Sequence, residues 1–204
     1  MFDYEQKIRE HLKFNSLGTG SLIGDRHSGL WWCLGPKKFW RHEHDRVIIT
    51  YTAVGGKVEV GETLLQALER ETKEEIGVFG TINSSPRTLF YTFDKKYSKW
   101  VDTLVKPAPA IIYDNFLNGF SVAAYWIKIP NTPKAHSEIS GMIRIPFDFE
   151  YSDPYPLSHY LKNGAEIVSC ESIPERSVLK PFGTAYIWTS LPHKTKDLLC
   201  PREL

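Results

Sequence analysis

Apolar and polar positions along this chain change period several times, and each change marks an element. Phe2, Ile8 and Leu12 recur with charges between them, a spacing that predicts a short opening helix. Residues 17–23 then read as a strand ending at Gly24-Asp25, and residues 30–34 form a tryptophan-bearing run stopped by Gly35-Pro36. Residues 47–54 are dense in β-branched side chains and make the best strand of this half, closed by Gly55-Gly56. Residues 64–76 switch to helical spacing. Further strands are predicted at 88–93, 110–113, 122–129 and 142–145, a helix at 157–163 stopped by Gly164, and a last strand at 185–189. Strands flanking a central helix predict an α/β (α+β) single domain with short N- and C-terminal elaborations.

The 64–76 helix is specified at both ends. Thr63 followed three residues later by Gln66 makes a capping box, and Gly77 stands where a left-handed stop is expected. At about 100° per residue, Leu65, Leu68, Thr72 and Ile76 form the stripe expected to face the core. Glu71, Glu74 and Glu75 share the neighbouring face.

Composition narrows the class. The chain has 204 residues, enough to bury a core without disulfide or metal staples. Its 25 basic and 24 acidic side chains give a net charge of +1, without the basic excess that a nucleic-acid or acidic-membrane binder uses for affinity. Cys33, Cys170 and Cys200 have neither zinc-site nor disulfide-framework spacing, so a reducing, cytoplasmic setting is expected. Neither a signal peptide nor an apolar run of membrane-spanning length is visible.

Charge is nevertheless distributed unevenly. Residues 56–78 hold Glu59, Glu62, Glu69, Glu71, Glu74 and Glu75 against Lys57, Arg70 and Lys73, a local net charge of −3. Like charges one helical turn apart repel by a few tenths of about 1 kcal/mol per pair, so this face is either fully solvated or compensated by a cation. Mg²⁺ and Mn²⁺ prefer such oxygen ligands and bridge them to substrate phosphates. The Gly55-Gly56 turn can bring a backbone carbonyl close to an ion, and Arg70 can grip a glutamate in a fork, with Glu62 a candidate partner.

The segment fits Gly-x5-Glu-x7-Arg-Glu-U-x-Glu-Glu-x-Gly-U, where U is a bulky aliphatic residue. Gly56, Glu62, Arg70, Glu71, Glu74, Glu75 and Gly77 fill the fixed positions and Val78 the last U, while Thr72 departs from the pattern at the first. It resembles the box of the Nudix hydrolase family. That resemblance implies a mixed β-sheet between helices over residues 15–165, and a pyrophosphohydrolase that cleaves a nucleoside diphosphate derivative with Mg²⁺ or Mn²⁺. It also implies Glu71, Glu74 and Glu75 as metal ligands, helped by the Gly55 carbonyl, with Arg70 and Glu62 as the structural ion pair of the catalytic site. A loop glutamate beyond the box, Glu138 ahead of the 142–145 strand, matches a further family feature, and either Glu71 or Glu138 is then the general base. The implied partner is a small molecule, a homodimer is compatible, and neither nucleic acid nor membrane is indicated. The rival reading is a nucleotide-sensing or protein-binding module on the same fold that has lost hydrolysis; the complete set of box carboxylates favours the enzyme.

Other patterns weigh less. The glycines of residues 18–24 imitate a dinucleotide fingerprint, but they enter a strand rather than a helix. His42-Glu43-His44 lacks a third ligand and reads as an exposed loop. Lys37, Lys38, Arg41 and Arg46 form either a phosphate-holding cluster or a solvated turn. Trp31, Trp32, Trp40, Tyr91 and Phe93 are candidates for stacking on a base, though most should be core. Residues 93–96, in the window 15–18 positions after the box, carry no substrate signature.

Overall fold

The computed structural model describes residue 8 and residues 16–93, 97–103, 105–115, 119–136, 138–149 and 153–202. The predicted opening helix lies outside these apart from Ile8, which is helical and fully buried. The strands are β1 (Leu17–Asp25), β2 (Gly29–Leu34), β3 (Arg41–Glu43), β4 (Arg46–Thr52), β5 (Thr81–Asn83), β6 (Thr88–Thr92) and β7 (Tyr97–Val101). They continue with β8 (Ile111–Asn115), β9 (Phe120–Lys128), β10 (Gly141–Ile145), β11 (Tyr155–Pro156), β12 (Glu166–Ser169) and β13 (Ser177–Pro181). Four α-helices are described, α1 (Leu64–Ile76), α2 (Leu157–Lys162), α3 (Thr184–Ser190) and α4 (His193–Leu199).

All thirteen strands join one mixed sheet, whose main path runs β11-β13-β4-β2-β1-β9-β8-β6-β7, with β10 and β12 branching from β2. β1 and β9 pair in parallel over seven residues, from Leu17 opposite Ser121 to Ile23 opposite Ile127. Both faces are covered, which explains why the central strands read as unbroken apolar runs rather than alternating ones. In β9, Val122, Ala124 and Trp126 enter one core, whereas Ala123, Tyr125 and Ile127 enter the other. The α1 side chains Leu64, Leu68 and Ile76 close the second core, against Ile23, Trp31, Cys33 and Val54.

The first core is closed by the C-terminal segment, and here the structure corrects the sequence reading. Residues 185–189 are not a strand but the middle of α3. A short apolar run fits a buried helix as well as a buried strand, and period alone does not separate them. Ala185, Ile187 and Trp188 are buried against the sheet. Trp188 meets Trp126 edge-on at 5.5 Å and Phe147 at 5.4 Å between ring centroids, while the Trp126 indole N–H donates to the Leu199 carbonyl at 2.8 Å. The fully buried Lys196 donates to the Phe149 carbonyl at 2.9 Å and tethers α4 to the loop after β10. Strand β13 adds a parallel neighbour to β4, with Ser177 opposite Val47. The strand that leads to the box is therefore held in place by residues more than a hundred positions later.

Trp188→Ala should destabilise the whole domain by about 3–5 kcal/mol, the usual cost of removing a buried aromatic ring. Urea unfolding followed by tryptophan fluorescence and far-UV circular dichroism should show one coincident, shifted transition. An unchanged midpoint would mean that the C-terminal helices are not part of the cooperative unit.

Candidate active site

After β4 the chain does not leave the sheet at once. Residues 54–58 run antiparallel along β1, with Ser21 N–H on the Val54 carbonyl (2.8 Å), Thr19 N–H on Gly56 (2.8 Å) and Val58 N–H on Leu17 (2.9 Å). This stitching fixes the start of the box against the sheet. The capping box of α1 then forms as the sequence predicts: the Gln66 N–H bonds the Thr63 hydroxyl, and the Gln66 side chain accepts from the Thr63 N–H at 2.9 Å. Gly77 ends the helix in the left-handed conformation, φ 71°.

The buried face of α1 is rotated from the predicted stripe. Leu64, Ala67, Leu68, Thr72 and Ile76 are buried, whereas Leu65 is only partly so. On a helical wheel at about 100° per residue, Leu64 and Leu68 bracket Glu75, so Glu75 is drawn towards the core and is half-buried. Thr72 is fully buried, and its hydroxyl donates back to the Leu68 carbonyl at 2.6 Å.

Arg70 organises the carboxylates. Its Nε and one terminal nitrogen grip Glu62 at 2.8 and 3.1 Å, and the latter also donates to the Lys57 carbonyl at 3.1 Å. The other terminal nitrogen reaches Glu71 at 2.9 Å and Glu74 at 3.0 Å. One guanidinium thus ties the box loop to two carboxylates of the helix. Gly56 allows the close approach: a Cβ there would overlap the Glu71 carboxylate.

Glu75 is held differently. Its carboxylate accepts from the Gly55 N–H at 3.0 Å and from the Cys33 thiol at 3.7 Å. Burial pushes its pKa up to about 8, an effect reduced by the Gly55 hydrogen bond and reinforced by the charges of Glu71 and Glu138. Burial also raises Glu71, although Arg70 opposes it. The Cys33 thiol is raised far above its usual range by burial and by Glu75. Gly55 therefore meets the site through its N–H, which anchors Glu75.

Glu138 comes from a separate loop. The His136 N–H bonds the Glu75 carbonyl at the end of α1 (3.0 Å), the Ile139 N–H bonds His136 (3.1 Å), and the Ser140 N–H bonds Leu34 (3.0 Å). A Cβ at Gly77 would collide with the His136 imidazole, so the bare glycine lets this loop dock on the helix end. As a result, ligand oxygens of Glu71, Glu74 and Glu138 all lie within 4.8 Å of one another. Glu75 and Glu138 also line one open cleft of about 640 Å³ with Pro36, Lys38 and Phe39. This donor set suits a hard divalent cation: oxygen only, clustered, and including in Glu71 a half-buried carboxylate whose charged form burial disfavours.

The remaining sequence candidates fall elsewhere. Trp31, Trp32, Trp40 and Tyr91 are buried and Phe93 partly so, which removes all but Phe93 from stacking. His42 and Glu43 lie on the exposed strand β3, with His44 in the turn after it. Sequence reasoning passed over three contributors: Cys33, hidden in an apolar strand; His136, placed only by the fold; and Phe39, masked by the basic residues around it.

A scan of protein-family models matches the NUDIX domain over residues 20–134, more than half of the chain and containing the entire box. The chain belongs to the Nudix hydrolase family. Glu138 lies just beyond the matched segment. A search of curated proteins finds no significant match. Among solved structures, a Nudix hydrolase from Nitrosomonas europaea aligns at 13% identity over 88% of this chain and 70% of its own, with a TM-score of 0.44. An ADP-ribose pyrophosphatase from Streptococcus suis aligns at 10% identity over 90% and 87%, TM-score 0.41. A putative Nudix hydrolase from Chromobacterium violaceum shares 20% identity, over 64% of this chain but only 61% of its own length, TM-score 0.38. Among the described residues no helix is long and apolar enough to cross a membrane, and the three cysteines are free.

Two predictions follow from this geometry. Arg70→Lys keeps the charge but cannot span Glu62, Glu71 and Glu74 from one rigid plane. It should lower stability by about 1–3 kcal/mol and weaken the rise in melting temperature produced by Mg²⁺. Paired melts with and without Mg²⁺ check both effects, and wild-type behaviour would remove Arg70 from its organising role.

The second concerns pH. With Glu75 raised from 4.5 to about 8, the metal-free folded state binds a proton that the unfolded state has released between those values. Stability should therefore fall as pH rises from about 5 to 8, by at most about 1.4 kcal/mol per unit, and level off above. Glu75→Gln should flatten that slope in urea titrations with chelator present. A wild-type slope retained in the variant would assign the titration to another group.

Proposed function

We propose that this chain is a metal-dependent pyrophosphohydrolase acting on a diphosphate linkage in a nucleoside diphosphate derivative, with Mg²⁺ or Mn²⁺ as cofactor. The observation that carries this reading is the convergence of Glu71 and Glu74, from the box helix, with Glu138, from a loop outside it, within 4.8 Å. A solvated acidic face would not need a carboxylate from a second segment, nor a glycine shaped to admit one of its members.

Glu71, Glu74, Glu75 and Glu138 are the residues that would hold the ion. Bound there, it would supply charge neutralisation for the phosphoryl oxygens and lower the pKa of water at the site. The chain's own groups do the rest. Arg70 holds Glu71 and Glu74 in place by charge-assisted hydrogen bonds, so neither is free to swing. Among the described residues nothing donates to the Glu138 carboxylate. Glu138 is therefore the better general base for the attacking water, with Glu71 the alternative. The half-buried Glu75 is anchored by the Gly55 N–H. The anhydride breaks between phosphorus and the bridging oxygen, water adds its oxygen to phosphorus, and the leaving phosphate takes up the balancing proton.

The test is a phosphate-release screen across nucleoside triphosphates, nucleotide sugars, ADP-ribose, dinucleotides and coenzyme A, with Mg²⁺ and with Mn²⁺. Turnover of at least one is expected. On that substrate Glu138→Gln should reduce kcat about 10²- to 10⁴-fold with little change in KM or melting temperature. Near-normal turnover in Glu138→Gln would pass the proton to Glu71. No turnover on any substrate, with a melt indifferent to both ions, would favour the sensing module instead.

A further inference from the structure

Beyond its carboxylates, the cleft has a second wall, the turn of residues 36–39, and that turn is built rather than loose. The Gly35 N–H bonds the Thr50 carbonyl at 2.8 Å, the Phe39 N–H bonds Pro36 at 2.8 Å, and the Trp40 N–H bonds Lys37 at 3.1 Å. The buried Trp40 ring pins the turn from beneath, with its indole N–H on the Gly35 carbonyl at 2.8 Å. The side chains at the crest nevertheless point away from the core. Phe39 is 66% exposed, the highest value for a phenylalanine among the described residues. Lys38 places its ammonium 5.1 Å from the centre of the Phe39 ring.

A rigid turn that holds an aromatic ring in water has no use for it in folding, because the ring contributes most when buried. Its surroundings supply a use. Of the five residues lining this cleft, Lys38 is the one cation and Phe39 the one aromatic ring, and both share it with Glu75 and Glu138. Arg70 is committed to three carboxylates, so it is not available to a substrate anion. A ligand with phosphates directed at the acidic cluster meets Lys38 beside them and Phe39 beyond.

We infer that the turn of residues 36–39 is the nucleoside-recognition wall of this site, with Phe39 stacking on the base and Lys38 holding a phosphate oxygen. In the free protein the Lys38 ammonium lies over the ring. On binding it exchanges that contact for the stronger one with phosphate, and so uncovers a face of the ring for the base. The inference deepens the pyrophosphohydrolase reading and rests on it. It selects nucleoside diphosphate derivatives over organic diphosphates that lack a flat ring.

The test uses equilibrium binding, so that it does not depend on turnover. Adenosine 5′-(α,β-methylene)diphosphate and methylenediphosphonate share the uncleavable bridge, and only the first carries a nucleoside. In calorimetric titrations with Mg²⁺ present, the full chain should bind the nucleoside compound at least about tenfold more tightly, in line with the worth of one stacked base. Phe39→Ala should abolish that advantage, Phe39→Tyr should keep it, and Lys38→Gln should weaken both ligands by a similar factor. Melting temperatures of all three variants should match wild type, because both side chains are at the surface. An advantage that persists in Phe39→Ala, or no advantage in the wild type, overturns the inference. If the advantage is lost as predicted but the screen finds no hydrolysis, the recognition wall stands and only the hydrolase reading fails.

Discussion

The site depends on one guanidinium. Arg70 lies among carboxylates that would otherwise repel one another, and its planar array of donors sets their spacing. Because the same group also bonds the Lys57 carbonyl, the acidic loop and the acidic helix cannot separate without losing several charge-assisted hydrogen bonds together. A lysine could supply the charge but not the geometry. Glu75 lies outside this network, and its position between the buried Leu64 and Leu68 disfavours its ionisation in the absence of a cation.

The scaffold serves this arrangement through a sheet covered on both faces. Helix α1 seals one face and carries the carboxylates, while α3 and α4 seal the other and touch none of the chemistry. Two-sided burial keeps β1 and β2 rigid. Rigidity matters here because Thr19, Leu17 and Ser21 on β1 hold the box loop by backbone hydrogen bonds, and β2 supplies both the Cys33 thiol at Glu75 and the Leu34 carbonyl that anchors the loop of Glu138.

Much of this was legible in the sequence where local chemistry decides local structure. The capping box, the Gly77 stop and the β-branched run into Gly55-Gly56 needed no distant information, and the spacing of Glu62, Arg70, Glu71, Glu74 and Glu75 identified the family. What was not legible depended on distant partners. The 185–189 run was read as a strand because only the sheet beneath it decides which way it packs. Strands β5, β7, β12 and β13 are too short or too polar to stand out, and gain their order from neighbours already in place. The buried stripe of α1 was misjudged by part of a turn, since the sequence shows which residues are apolar but not where the sheet lies. Glu138 could be suggested only by resemblance, for what places it is a contact between His136 and the end of a helix sixty residues earlier.

The pairing of β13 with β4 has a consequence for how the molecule is made. Val47 and Ser177 are opposite one another, so the strand leading to the box gains its outer neighbour only once a segment more than a hundred positions later has been synthesised. During translation the β4 edge and the sheet face that α3 will cover remain exposed while the later strands are produced. Non-local pairing of this kind folds slowly and leaves sticky intermediates. A ribosome that stalls short of residue 177 would therefore release a chain with its acidic box complete in sequence but with one side of its supporting sheet still open to aggregation.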